Sequence, residues 1–216
     1  MTENSVSNMA EKEKINPGSG FSLGGVMIFM IITISEAAIP GYSIRTDAIS
    51  YLGGAGASTA LFWNAGLLVF GILWVTSSYL LFRRVGRLLH SIVFYLAGLG
   101  FIIVSLSTWN VSPTLHGIGA QSAFIFGAIS CLISPGLIGG HLKKISYALG
   151  FFAFSVYISG YLGLEYMAFT GSGGVERMLY YPVILWEIVF GSFLMAAPEK
   201  LSAGIRKHGN DETSPG

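Results

Sequence analysis

Charged residues are scarce in this chain. Asp, Glu, Lys and Arg make up 11% of its 216 residues, whereas 52% of the residues are hydrophobic. A water-soluble domain needs roughly a quarter of its residues charged to cover its surface, and one small core cannot bury this much apolar sequence. The composition therefore excludes a soluble globular protein and predicts an integral membrane protein.

The chain also lacks the residues of a disulfide framework or a metal centre. Cys131 is the only cysteine, so no intramolecular disulfide can form. The histidines at 90, 116, 141 and 208 are scattered, with no His-Glu-x-x-His pattern, and we expect no metal and no cofactor. The net charge of +1 gives a nucleic-acid partner no electrostatic support. The expected partners are membrane lipids, with a lipid or small molecule as ligand.

Long apolar stretches fill most of the sequence. A helix needs about 20 mostly apolar residues to cross a hydrocarbon core of about 30 Å. Six segments qualify: Phe21 to Ile39, Ser58 to Phe82, Leu88 to Leu106, Leu115 to Ile138, Ile145 to Phe169 and Met178 to Ala197. We therefore predict an all-α fold, a polytopic bundle of six transmembrane helices at residues 21–197. Disordered tails are expected at 1–20 and 198–216, and the first span is expected to be retained, because its leader is long and acidic.

Basic residues predict the orientation, because Lys and Arg are retained on the cytoplasmic side. The amino-terminal tail, the second and fourth loops and the carboxyl-terminal tail hold ten of them: Lys12, Lys14, Arg83, Arg84, Arg87, Lys143, Lys144, Lys200, Arg206 and Lys207. The first, third and fifth loops hold only Arg45 and Arg177. Both termini are therefore expected in the cytoplasm of a multi-pass plasma-membrane protein.

Small residues and prolines within the spans predict how the helices pack. Gly119, Ala123 and Gly127 recur every four residues and predict a packing seam on the fourth span. Pro135 is expected to kink the end of that span. Pro182 is expected in the first turn of the sixth span, where its missing N–H costs little.

Aromatic residues near the ends of the spans predict a belt at the membrane interfaces. The set is Trp63, Trp109, Tyr166, Tyr180 and Tyr181. Aromatic side chains favour the headgroup level of a bilayer, so we interpret these residues as anchors rather than as a ligand cage.

Polar residues collect at the predicted outer end of the bundle. The set comprises Arg45, Asp47, Ser50, His116, Glu176 and Arg177. Three interpretations stay open. The arginines could form a structural clasp with Asp47, Glu176 or Glu165, or they could hold an anionic headgroup or another polar ligand. Alternatively, Ser50 or an activated water could act with His116 or Asp47 as base in a hydrolase or transferase.

Three acidic residues lie within the predicted spans, where an ionisable group by default suggests function. Glu36 and Glu165 stand close enough to span ends to reach the headgroups. Glu187 follows Met178 by nine residues, which places it about 14 Å deep, near the bilayer midplane. We therefore add Glu187 to the candidate ligand-binding residues.

At these residues the sequence resembles a six-span membrane family catalogued as domain of unknown function 998. The resemblance rests on Pro40-Gly41-Tyr42-Ser43 to Ser50-Tyr51-Leu52-Gly53, on Glu176-Arg177-Met178 through Leu185-Trp186, and on His116. Tyr51 stands where the family carries an aspartate. The resemblance implies a prokaryotic protein with a six-helix fold, distantly similar to DRAM-like membrane proteins, and it brings no established activity.

The function expected from the sequence is recognition of a lipid headgroup or small solute by the outer polar cluster, as an accessory or transport component. The alternative is a lipid-modifying enzyme that uses the same cluster, with Ser50, Asp47 and His116 as its catalytic residues. The inner halves of the spans are almost wholly apolar, which disfavours a simple channel or pump.

The ten-to-two division of basic residues gives a testable topology. Single cysteines introduced at Ser172 and Ser202, in a background lacking Cys131, are exposed to a membrane-impermeant thiol reagent in intact cells. We expect labelling at position 172 alone, because position 202 should face the cytoplasm. Labelling at 202 in intact cells would contradict the predicted orientation.

Overall fold

Six α-helices follow one another in the computed structural model, which describes residues 16–162 and 169–197. Their bounds are α1 Pro17–Ala38, α2 Ala60–Val85, α3 Leu88–Leu106, α4 Pro113–Ile133, α5 Leu142–Tyr161 and α6 Gly171–Ala196. Two short 3₁₀ helices add to these at Ile49–Gly53 and Ser134–Gly136. The described residues contain no strand, so the all-α prediction is confirmed.

The helices form a closed ring. Each helix packs against the next one along the chain, and α6 returns to pack against α1. The connections α1–α2 and α3–α4 and the start of α6 therefore meet at one end of the bundle, which we call the loop 1 end, where loop 1 is residues 39–59. The chain's first described residue, Asn16, lies at the opposite end, where its Nδ2 donates to the Leu194 carbonyl at 3.2 Å.

Five of the described helices are long and apolar enough to cross a membrane. They are α1, α2, α3, α6 and the segment Pro113–Gly136. Large apolar side chains point outward all around the ring, among them Leu23, Met30, Leu61, Ile72, Leu99, Ile118 and Phe151. An apolar exterior of this kind requires lipid as its solvent, so the chain is a multi-pass membrane protein.

Local sequence signals explain where several helices begin and end. Pro17 occupies the first turn of α1 and Asn16 caps it, with Oδ1 accepting from the Gly18 N–H at 2.9 Å. Gly86 ends α2 in the left-handed conformation, at φ +69°. The 3₁₀ helix at Pro135 replaces the last turn predicted for the fourth span.

The first and sixth helices begin earlier in the structure than the sequence predicts. Residues 17–20, predicted as tail, form the first turn of α1. Helix α6 begins at Gly171 rather than at Met178, so Pro182 lies in the helix interior and not in its first turn. Asn16 caps α1, and the predicted tail residues 1–15 and 198–216, together with Glu165 and Tyr166, lie outside the described residues.

The aromatic-belt prediction is wrong for two of its members. Trp63 and Tyr180 are buried in the core, at 3% and 5% exposure. Tyr180 packs against Phe70, Phe101 and Phe124, with ring centroids 5.5 to 6.4 Å apart. Burial within the bundle, rather than amphipathic placement at the headgroups, positions these two rings.

Close backbone contacts confirm the predicted seam on α4. A Cβ on Gly100 of α3 would lie 2.5 Å from the Ala123 N and 2.7 Å from the Gly119 O. Gly127 faces Val183 of α6. Small residues thus let α4 approach both of these helices.

Two glycine-to-alanine substitutions test this packing with a matched control. Both positions are helical, so alanine gains helix propensity of up to about 1 kcal/mol at each. At Gly100 the new Cβ meets backbone atoms of α4, whereas at Gly117 it meets nothing within 4 Å. We expect Gly100→Ala to lower the melting temperature in detergent and Gly117→Ala to leave it unchanged or raise it. Equal melting temperatures would contradict the close α3–α4 contact.

Candidate functional site

Arg177 is the most heavily bonded side chain at the loop 1 end. It is 5% exposed. Its Nη2 and Nε donate to Glu36 Oε1 at 2.6 and 3.1 Å, and Nη2 also donates to the Tyr42 hydroxyl at 2.8 Å. The Arg177–Glu36 pair is the one salt bridge among the described residues.

The third guanidinium nitrogen of Arg177 faces the backbone. Nη1 donates to the carbonyls of Ile44, Asp47 and Gly173 at 3.0, 3.1 and 2.7 Å. A guanidinium has five N–H donors, and six acceptor contacts surround this one. Arg177 therefore joins α1, loop 1 and α6 and has no donor left for a ligand.

Loop 1 also closes over the start of α6. The Arg45 carbonyl accepts from the Gly173 and Gly174 N–H groups at 3.0 and 3.3 Å, and the Ser172 hydroxyl donates to the Thr46 carbonyl at 2.6 Å. These bonds satisfy helix-terminal donors that have no partner within the helix. The guanidinium of Arg45 itself makes no hydrogen bond or ion pair within the described part of the chain.

The Asp47 carboxylate serves the turn of loop 1. Its Oδ2 accepts from the Ser43 N–H at 2.8 Å and its Oδ1 from the Thr46 hydroxyl at 3.3 Å. Such bonds from an aspartate to nearby donors stabilise a turn locally. The side chain of Asp47 is thus occupied within its own loop.

Tyr42 holds the loop from the other side of Arg177. Its hydroxyl donates to the Ala48 carbonyl at 2.9 Å and accepts from Arg177. Burial raises the pKa of Tyr42 to about 12, against the opposing effect of Arg177. The phenol therefore stays protonated, and remains a donor, throughout the physiological range.

Arg177 and its partners Glu36, Tyr42 and the loop 1 carbonyls form a clasp. A cavity of about 40 Å³ lies beside this clasp, within the bundle. Apolar side chains form most of its wall: Ile49, Trp63, Leu67, Phe101, Val104, Ala120, Ala123 and Phe124. Ser50, His116, Glu176 and Tyr180 supply its polar lining. Mostly apolar walls with a few polar groups are typical of ligand sites.

The elements around the cavity fix its polar groups. His116 Nδ1 lies 2.7 Å from the Ser107 carbonyl, which can only accept, so Nδ1 donates to it and Nε2 is the ring nitrogen left for a ligand. Glu176 Oε2 accepts from the Ile49 N–H, at the start of the 3₁₀ helix of loop 1. The Tyr180 hydroxyl is buried without a hydrogen-bond partner among the described residues.

A family model described as "Protein of unknown function (DUF998)" matches residues 22–192. The chain belongs to this family. The match covers all six helices of the ring, and with them both the clasp and the cavity. No curated protein and no solved structure matches the chain.

The structure of this DUF998 protein divides the sequence-predicted residues into three places. Arg177 lies in the clasp, with Arg45 and Asp47 in the loop around it. Ser50, His116 and Glu176 line the cavity. Glu187 lies deeper in α6, nine residues and about 14 Å before its end at Ala196.

Three residues of the site were not singled out as such in the sequence. Glu36 was interpreted as a group that reaches the headgroups, Tyr42 as part of a loop motif, and Tyr180 as an interface aromatic. For Tyr180 a signal was present: it follows Glu176 by four residues and precedes Glu187 by seven, a spacing that places Glu176, Tyr180 and Glu187 on one helix face.

Replacing each of the two arginines by lysine tests the clasp in this DUF998 protein. Lysine keeps the charge but loses the planar fork, and its three N–H donors would leave several of the six acceptor contacts of Arg177 unmade. We expect Arg177→Lys to reduce the free energy of unfolding by about 2 to 4 kcal/mol. Arg45→Lys is the control and should change it by less than about 0.5 kcal/mol. Denaturation in detergent measures both, and equal losses would rule out a specific clasp.

Proposed function

We propose that this DUF998-family protein is a six-span plasma-membrane protein, with both termini in the cytoplasm, that binds a polar group of a lipid headgroup or small solute. The cavity at the loop 1 end is the binding site, and the protein acts as an accessory or transport component. The observation that carries the proposal is the presence of Ser50, His116, Glu176 and Tyr180 in one otherwise apolar cavity.

The lining favours a ligand that donates hydrogen bonds. His116 Nε2 and the Glu176 carboxyl are acceptors, and the hydroxyls of Ser50 and Tyr180 can accept as well. Arg177, the buried cation next to Glu176, is fully engaged by protein acceptors. A hydroxyl or ammonium group therefore suits the cavity better than a phosphate or carboxylate.

The size of the cavity limits what enters it. One water needs roughly 10 to 15 Å³ of cavity volume, so a cavity of about 40 Å³ holds about three water-sized groups. The terminal aminoethyl or hydroxyethyl part of a headgroup has three heavy atoms and fits this volume. The phosphate and the acyl chains of such a lipid would remain outside, in the bilayer.

The opposite half of the bundle supports binding rather than a through-channel. Phe21, Phe94, Trp186 and Phe190 are all fully buried, and their ring centroids lie 4.8 to 5.9 Å apart where they touch. These rings come from α1, α3 and α6 and fill the centre of the ring of helices. A polar solute entering at the loop 1 end meets this apolar packing below it.

The positions of the described basic residues support the proposed orientation. Arg83, Arg84, Arg87, Lys143 and Lys144 lie at the connections α2–α3 and α4–α5, at the end opposite loop 1. Positive charge is retained in the cytoplasm, so the loop 1 end and its cavity would face outward.

The second candidate is a hydrolase or transferase acting on a lipid. It is favoured by one observation, the anchoring of His116 Nδ1 on the Ser107 carbonyl, since this leaves Nε2 as a base in a cavity that also contains Ser50. A serine nucleophile or an activated water needs such a base. Asp47 takes no part in this version, because its carboxylate is bound within loop 1.

Ligand-dependent melting tests the binding proposal. Purified protein is titrated with short-chain phosphatidylethanolamine, phosphatidylglycerol and phosphatidic acid, and with free ethanolamine and glycerol. We expect the headgroups with an amine or hydroxyl to raise the melting temperature more than phosphatidic acid does, because only they offer donors to the cavity. Stabilisation by the free solutes would assign the site to a solute rather than a lipid.

Two variants link this stabilisation to the cavity. Ala120→Phe fills the cavity without removing a polar group, and it should abolish the shift, whereas Gly117→Ala on the same helix should keep it. A shift that survives Ala120→Phe would refute binding in the cavity. Mass spectrometry of the incubated lipids separates the two functions, since product that depends on Ser50 would identify the enzyme.

A further inference from the structure

Glu187 is a carboxyl group enclosed within the bundle. It is 0% exposed. On α1 two consecutive glycines face it, since a Cβ on Gly24 would lie 3.5 Å from Oε1 and a Cβ on Gly25 would lie 3.4 Å from Oε2. Phe70 of α2 borders the same position, 3.3 Å from the Gly24 Cβ site. The missing side chains of the two glycines thus make the space that the carboxyl occupies.

Neither oxygen of Glu187 has a hydrogen-bond partner among the described residues. No basic side chain pairs with it, since the ion pair of the described chain is Arg177–Glu36. An isolated carboxylate in such surroundings is strongly disfavoured, so the resting group is the neutral acid. Among the charged residue types of the described chain, Glu187 is the one that is fully buried without a hydrogen bond or ion pair.

The polar neighbours of Glu187 lead toward the cavity. Tyr180 lies seven residues earlier on α6, two turns toward the loop 1 end and on the same helix face. Its hydroxyl is also buried without a partner, and its ring lines the cavity. The Phe70 ring borders this region, since its centroid lies 6.4 Å from that of Tyr180 and its edge lies 3.3 Å from the Gly24 Cβ position that the carboxyl also approaches.

The side facing the opposite end is closed. Phe21 precedes Gly24 on α1 by about one turn, and Phe190 follows Glu187 on α6 by about one turn. These two rings pack edge to face at 5.7 Å, and Phe94 and Trp186 complete the layer. The four rings of this layer contain no titratable side chain.

The groups that face Glu187 from the surrounding helices are few. Tyr180 of α6 and Cys131 of α4 lie within electrostatic range. Helix α1 presents Gly24 and Gly25, and α2 presents Phe70 and the Trp74 indole, whose Nε1 is likewise buried without a partner. No charged side chain of the described helices lies among them.

We propose that Glu187 is a proton-binding site that exchanges its proton with the loop 1 end only, through Tyr180 and the cavity. On release, the carboxyl O–H bond breaks and the proton passes to the Tyr180 hydroxyl oxygen while that hydroxyl gives its own proton to water in the cavity. Neither group has a hydrogen-bond partner in the described part of the structure, so both transfers require side-chain rotation that brings donor and acceptor into contact. Uptake reverses both transfers, so Tyr180 is unchanged after each event. The step needs no oxidant, reductant or other co-reactant.

A proton suits this site better than a metal cation. Hard cations such as Ca²⁺ and Mg²⁺ need about six oxygen ligands. Within the described residues the site offers two carboxyl oxygens and, further away, one phenol. The proposal is independent of the ligand proposed for the cavity, because proton exchange requires only water there.

Infrared difference spectroscopy on the full-length protein in vesicles tests the proposal. The pH is stepped between about 4 and about 9 without any ligand, and the carboxylic C=O band is followed. We expect a band that falls as pH rises, shifts when glutamate carboxyls carry ¹³C and disappears in Glu187→Gln, which preserves shape and hydrogen-bonding capacity. Tyr180→Phe should keep the band and slow its response several-fold.

Sidedness and the control variant complete the test. In vesicles of known orientation, a pH step on the loop 1 side should move the band at once, and a step on the other side should not. Tyr147→Phe, at an exposed tyrosine on α5, is the control for Tyr180→Phe and should leave both the band and its rate unchanged. If Glu187→Gln proves unstable, the sidedness of the response and its slowing in Tyr180→Phe still test the proposal.

Four outcomes would overturn the proposal. These are a band that does not titrate, a titrating band unaffected by Glu187→Gln, an equal response from both sides, and displacement of the proton by Na⁺ at constant pH. Because no ligand is present, loss of headgroup binding in the cavity would leave this result unchanged. The two proposals can therefore fail separately.

Discussion

The buried pair of Arg177 and Glu36 is the interaction on which the loop 1 end depends. It links the last turn of α1 to the second turn of α6, the two helices that close the ring. A charge pair in low dielectric is tolerated only when the remaining donors and acceptors are satisfied. Loop 1 meets this requirement by turning its Ile44 and Asp47 carbonyls toward the guanidinium. The path of the loop is therefore a consequence of the need to solvate one arginine.

The cavity follows from the same constraint. Once Arg177 holds residues 44–47, the chain enters the 3₁₀ helix Ile49–Gly53 directly above the space between α2, α3, α4 and α6. The neighbouring Glu176 then accepts from the Ile49 N–H and fixes the start of that helix. Two adjacent residues of opposite charge thus face different sides. Arg177 organises the loop from one side, and Glu176 lines the cavity on the other.

Sequence reasoning predicted the helices well where hydropathy alone decides. The bounds of α3 agree at both ends, Leu88 and Leu106, because basic loop residues precede it and polar loop residues follow it. It failed at the start of α6, because Gly171-Ser172-Gly173-Gly174 has the composition of a loop. The N–H groups of Gly173 and Gly174 donate to the Arg45 carbonyl, and these bonds allow the segment to be helical. A contact between residues 126 or more positions apart cannot be read from local composition.

The sequence predicted most of the residues that form the site, but it did not predict how they are arranged in space. Arg45 and Arg177 are equivalent in the sequence, as the two basic residues outside the segments predicted to be cytoplasmic, yet Arg45 is exposed and the Arg177 guanidinium is buried under six acceptors. Only the tertiary position of Glu36 separates them. Tyr180 was misassigned because aromatics near span ends usually mark interfaces, whereas the earlier start of α6 places this ring two and a half turns inside the helix.

The contrast between Arg177 and Glu187 shows how the fold treats the two residues of charged type that are buried within its described part. Arg177 is surrounded by acceptors from three elements, so its burial costs little and stabilises one arrangement of the loop. Glu187 receives no such support from the protein, and a leucine or methionine would fill the same space next to Gly24 and Gly25 without the cost of burying a polar group. Replacing a buried polar group by an apolar one of similar volume is often stabilising. Packing therefore explains the glycines, but it does not explain why a carboxyl rather than a hydrocarbon side chain faces them.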